Sequence, residues 1–137
     1  MSGASVSLKI ATPVVEVGGN VEARVERPAA DPGKTRALIV ALECHHDCRK
    51  SDNSKRVVVH ADARLDLVGG GAVDEVVQLR VPDDASVSFT GALIRNLWRV
   101  SVTEDVAMGR DKRVQQIDLV VAPRGGGSLY TQPHPIR

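Results

Sequence analysis

The chain has 137 residues, a one-domain length. Its 18 basic and 17 acidic side chains leave a formal charge of +1, without the broad basic face that phosphate backbones require. The aromatic residues are Phe89, Trp98 and Tyr130, whereas valine occurs 22 times, with five isoleucines and five threonines. β-Branched side chains suit a pleated surface and lose rotamer freedom in helices, so the composition favours strands over a helical bundle. It also leaves little stacking surface for sugars or bases.

Period-two patterning runs through most of the chain. Val6, Leu8 and Ile10 alternate with polar residues until Pro13 breaks the segment. Val14, Val15 and Val17 lead into Gly18-Gly19-Asn20, a turn signal. Val21, Ala23 and Val25 then alternate with Glu22, Arg24 and Glu26, a strand with one wet face. Residues 27–34 hold two prolines and read as a loop. The apolar run 37–42 has the length of a central strand buried on both faces.

Val57, Val59, Ala61, Ala63, Leu65 and Leu67 share one face of a long strand, with His60, Asp62, Arg64 and Asp66 opposite. Gly69-Gly70-Gly71 reads as the hairpin turn that ends it. Val77, Leu79 and Val81 form the next strand, closed by Pro82. Trp98, Val100 and Val102 follow on one face, against Arg95, Arg99, Ser101 and Thr103. Asn96 is a polar intruder on the Trp98 face and marks a bulge or an edge. A turn at Gly109-Arg110-Asp111 precedes the last strand, with Ile117, Leu119 and Val121 on one side. Seven to eight strands at turn intervals of roughly 8–15 residues predict an all-β, antiparallel, immunoglobulin-like sandwich. Residues 1–123 form its single domain, and residues 124–137 a flexible Gly- and Pro-containing tail.

Two cysteines make no disulfide framework. The first residues, MSGASVSLKI, lack a basic stretch followed by an apolar run, and no window approaches the ~18 apolar residues of a membrane span. A cytoplasmic protein with no membrane insertion is expected. The basic groups Arg49, Lys50, Lys55 and Arg56, and Arg110, Lys112, Arg113 and Arg124, are interrupted by acids. They read as solvated faces, and no nucleic-acid partner is expected.

Glu43-Cys44-His45-His46-Asp47-Cys48 is the one cluster of metal-ligand residue types. Cys44, His46 and Cys48 project from one face if the preceding strand continues. Thiolate and imidazole suit Zn²⁺, yet no second ligand pair occurs elsewhere. An extended strand also separates Cys44 from Cys48 by roughly 13 Å, at ~3.3 Å per residue. The reading adopted is Cys44 in the core and the remaining residues in a solvated hairpin loop with residues 49–55. Zinc at Cys44, His46 and Cys48, or a loop disulfide, is the alternative. No Gly-x-Ser-x-Gly elbow or phosphate-binding loop occurs, the acid pairs Asp83-Asp84 and Glu104-Asp105 read as turns or strand ends, and no catalytic residue is assigned. Trp98 reads as a core aromatic.

The second half carries a recognisable layout. Leu79-Arg80-Val81-Pro82 closes a strand, Ser88-Phe89-Thr90-Gly91 follows, and Trp98 centres the next strand. Arg110-Asp111 then precedes residues 117–121, closed by Pro123. This resembles the arrestin-like superfamily, with its closest flavour in the bacterial group related to sporulation-control proteins. The first half agrees more loosely, because Gly18 stands where a proline is usual, and Ser86-Val87 replaces another. The resemblance covers most of residues 5–123. It implies a non-enzymatic interaction or scaffolding module working through sheet surfaces and end loops. Many relatives carry two lobes, and this length holds one. Exposed sheet edges then imply a homodimer or a docked protein partner, with the tail as a candidate added strand. Removal of residues 125–137 is expected to weaken self-association.

Overall fold

The computed structural model describes residues 5–48, 54–67, 70–91 and 94–125. They form nine strands: β1 (Ser7–Ile10), β2 (Val14–Glu16), β3 (Asn20–Arg27), β4 (Thr35–Cys48), β5 (Ser54–Asp66), β6 (Val73–Arg80), β7 (Phe89–Thr90), β8 (Ile94–Val106) and β9 (Lys112–Ala122). A small sheet has the order β1-β3-β6, and a large one β2-β9-β8-β4-β5, with β7 pairing β8. The strands beyond the seven that alternation marks in the sequence are the shortest, β2 and β7, too brief to show a period. Every pairing is antiparallel except β2 with β9, which is parallel. The tail assigned from the sequence lies, from residue 126 onward, outside the described residues.

Alternation places the core. From the small sheet, Leu8, Val21, Ala23, Val25, Val77 and Leu79 point inward. From the large sheet, Leu38, Val40, Leu42 and Cys44 of β4 meet them, beside Trp98, Val100 and Val102 of β8. Cross-strand partners share a face, and the register sets Val40 against Val102, Leu42 against Val100 and Cys44 against Trp98. Burying each such Leu or Val contributes roughly 1.5–3 kcal/mol before chain entropy is charged against it. Trp98 is fully enclosed, and its indole N–H donates to the Ser86 carbonyl at 2.7 Å. β4 is indeed central and apolar on both faces over 37–42, with Ile39 only partly covered.

The turn before β3 explains the glycine that stands in place of a proline. Gly18 has φ of 82°, in the left-handed region, and its N–H donates to the Val81 carbonyl at 3.0 Å. Proline has neither that φ nor that hydrogen. This turn carries the chain from the large sheet to the small one.

Three expectations need correction. The β4–β5 register shifts between Leu42 and Glu43: Leu42 faces Ala61, whereas Glu43 faces Val59. His60 is therefore an extra residue, a bulge that inverts the side-chain phase. Ala61, Ala63 and Leu65 pack on the core, while Val57 and Val59 turn to the outer face and are 51% and 52% exposed. Second, β5 and β6 belong to different sheets, so the connection between them is a crossover and not a hairpin. Third, Asn96 is no bulge; it pairs in register with His46 and Phe89, and the irregularities of β8 fall elsewhere.

Candidate interaction surfaces

β4 runs through to Cys48, so residues 45–48 are strand and not loop. That extension puts Glu43, His45 and Asp47 on the outer face of the large sheet, and Cys44, His46 and Cys48 on the inner phase. Glu43 is only 5% exposed. Its carboxylate accepts from Arg113 Nη2 at 2.8 and 3.1 Å, from Ser101 Oγ at 3.0 Å and from His45 Nε2 at 2.9 Å. Burial alone pushes this carboxyl up. The hydrogen bonds from His45 and Ser101 and the Arg113 charge overrule it and hold Glu43 below its ordinary value.

Serine, histidine and an acid thus meet here in the wrong order for nucleophilic catalysis. The histidine bonds the acid and not the hydroxyl, and Ser101 donates to a carboxylate already held ionised. Similar closed pairs cover the same face. Asp105 sits between Arg36 at 2.9 Å and Arg64 at 2.7 Å, and their hydrogen bonds hold it below the ordinary carboxylate value. Asp105, read from the sequence as a turn or strand-end acid, lies one residue from the end of β8, and its burial is what the sequence did not show. Asp47 accepts from Arg95 at 2.7 Å. Sequence reading missed this network because its partners come from four strands, and only the register brings them together.

On the inner side, burial raises the Cys44 thiol to about 11, a nearby Arg56 opposing weakly, so it stays protonated. His46 Nδ1 lies 2.8 Å from the Asn96 amide oxygen and donates to it. The His60 ring stacks on Trp98 with centroids 4.9 Å apart, which the bulge permits by turning His60 inward. Burial first, and His46 second, lower the His60 pKa, against a smaller opposing pull from Asp84. Cys44 and Cys48 are both free thiols. Among the described residues, no three His, Cys, Asp or Glu side chains converge to hold a metal ion. The trio Cys44, His46 and Cys48 shares a face but is strung along one strand.

Two of the clefts on the surface are lined by described residues. One of about 400 Å³ lies at the end of the small sheet, lined by Ser5, Ser7, Glu26, Arg27 and Asp74 among others. Arg27, 4% exposed, ends the inward stripe of β3 there. It donates to the carbonyls of Gly71 at 2.5 Å and Ala30 at 3.2 Å, which ties both loops to β3. The other, about 290 Å³, is the notch between β7 and β9, floored by Leu97, Trp98 and Leu119. Phe89, on β7 within the segment that carries the sequence resemblance, is 54% exposed beside it and is not a core residue.

The sheet edges differ in length. Among the described residues, β1, β2, β6 and β7 are edges of four, three, eight and two residues, whereas β5 is an edge of thirteen. Among the described residues, no strand pairs with β5 on the side away from β4. No helix of the described residues is long and apolar enough to cross a membrane.

Comparison with known proteins agrees with this architecture. No protein-family model matches the chain, and no curated protein sequence does. Among solved structures, it is similar to the crystal structure of Spo0M, a sporulation control protein from Bacillus subtilis. The TM-score is 0.64 at 17% identity, over 88% of this chain and 50% of that one. The chain therefore spans half the length of that structure. Two packed sheets, their strand order and this superposition together define the molecule as an all-β sandwich of the arrestin-like fold.

Proposed function

We propose that the chain is a non-enzymatic interaction module that docks a protein, a second copy included, along an exposed sheet edge. The observation that carries this reading is β5, an edge of thirteen residues bearing the half-exposed valines Val57 and Val59. An edge strand offers a row of main-chain donors and acceptors, and side chains at alternate positions supply selectivity. The outer-face carboxylates support it from the other direction, since Glu43, Asp47 and Asp105 are all engaged by arginines. A cytoplasmic setting suits the two free thiols.

The test compares the full chain with Val57→Lys/Val59→Lys, which charges the edge at two exposed positions. Proteins retained from native lysate by the wild type, its own copies included, are expected to be lost by the variant at unchanged melting temperature. Retention of the same proteins by both would remove β5 as the docking edge.

A further inference from the structure

Resting on that reading, we propose that the occupant of the β5 edge is β5 of a second copy. The two strands run antiparallel about a twofold axis between His60 and Ala61, with Lys55 set against Asp66 of the second copy. The large sheets then continue through the axis as one.

The bulge selects this register. Pairing with β4 puts residues 55, 57 and 59 on the outer face before His60, and residues 62, 64 and 66 there after it. Antiparallel partners must share a face. With the axis between His60 and Ala61, outer meets outer and inner meets inner along the whole strand. An axis on His60 itself sets Arg56, of inner phase, against Arg64, of outer phase, which fails in both face and charge. Shorter registers centred on Val57 or Ala63 keep the faces. The first gathers Lys55 and Arg56 of both copies with no acid among them, and the second leaves Val57 and Val59 uncovered.

The selected register is complementary to itself. Lys55 meets Asp66 twice by symmetry, and Asp66 already accepts from Arg64 of its own strand at 2.9 Å, so the lysine joins an exposed pair. Val57 lies against the apolar stem of Arg64, and Val58 against Ala63. A twofold repeats every such contact, which makes the interface isologous. At a net charge of +1, two copies repel each other little.

Sedimentation of the full chain over a range of concentrations tests the proposal. The wild type is expected to dimerise reversibly. Lys55→Asp and Asp66→Lys should each raise the dimer dissociation constant by about tenfold, because symmetry turns two attractions into two repulsions. The double variant Lys55→Asp/Asp66→Lys should restore it. Both positions are exposed, so circular dichroism should find the fold intact. A wild type that stays monomeric at every concentration overturns the second copy as occupant, while the lysate comparison still decides whether β5 docks another protein. A dimer that ignores the single variants, or that the double variant leaves weakened, overturns the pairing.

Discussion

On the outer face of the large sheet, Glu43 keeps its charge because Arg113, Ser101 and His45 all reach it. The folded pKa lies below the unfolded one, so the native state holds this carboxylate's proton less readily. Its stabilisation is present above the unfolded value and is lost as pH falls through the folded value. Glu43→Gln should cost about 1.5–3 kcal/mol at pH 7. It should also flatten the acid limb of stability, measured by urea unfolding at pH 7 and pH 3. An unchanged acid limb would contradict the network. The His60 linkage acts nearer neutrality. Its folded pKa is lowered, so the unfolded chain binds a proton first and stability declines as pH drops below about 6.5 toward the folded value. Trp98 is the sole tryptophan and stacks on this ring, so its fluorescence should step with a midpoint below 6.5. His60→Gln should abolish the step; a midpoint at or above 6.5 would contradict the burial argument. For Cys44, a thiol pushed to about 11 is a poor metal ligand at neutral pH. Untagged protein is expected to carry no stoichiometric zinc, and zinc at one per chain would restore the Cys44, His46 and Cys48 site.

At the scale of elements, legibility followed how local each signal was. The alternation of β3 and the apolar run of β4 were readable because one strand's residues suffice to show them. The stop at Pro13 and the turn at Gly18-Gly19 were readable for the same reason. The phase of β5 was not. His60 is a bulge with no glycine or proline to mark it, and the string Val57, Val59, Ala61 reads as unbroken alternation. Only the partner strand reveals that one residue is surplus. Sheet membership was equally hidden, since a crossover and a hairpin can use the same glycines. Gly18 makes a local test of the first crossover. At φ of 82°, a Cβ costs roughly 1–2 kcal/mol from backbone alone, and it would also press on the Asp83 carboxylate. Thermal unfolding of Gly18→Ala should register that loss, and a neutral outcome would contradict the left-handed turn.

For the whole molecule, composition and turn spacing were enough to read a two-sheet sandwich, because a valine-rich alternating chain has few other ways to bury its apolar face. The outer-face network was not legible, since Glu43, Ser101 and Arg113 lie 58 and 70 residues apart in sequence and meet only through strand register. What the sandwich leaves open is also a whole-molecule property: among the strands of the described residues, β5 is by far the longest edge. The account stands on that edge being the surface that associates. Amide hydrogen exchange of the full chain at low and high protein concentration measures this strand by strand. The account predicts that amides of residues 55–66 exchange more slowly at high concentration while β1 and β6 stay unchanged. Exchange along β5 that is independent of concentration, or protection appearing at another edge instead, would contradict it.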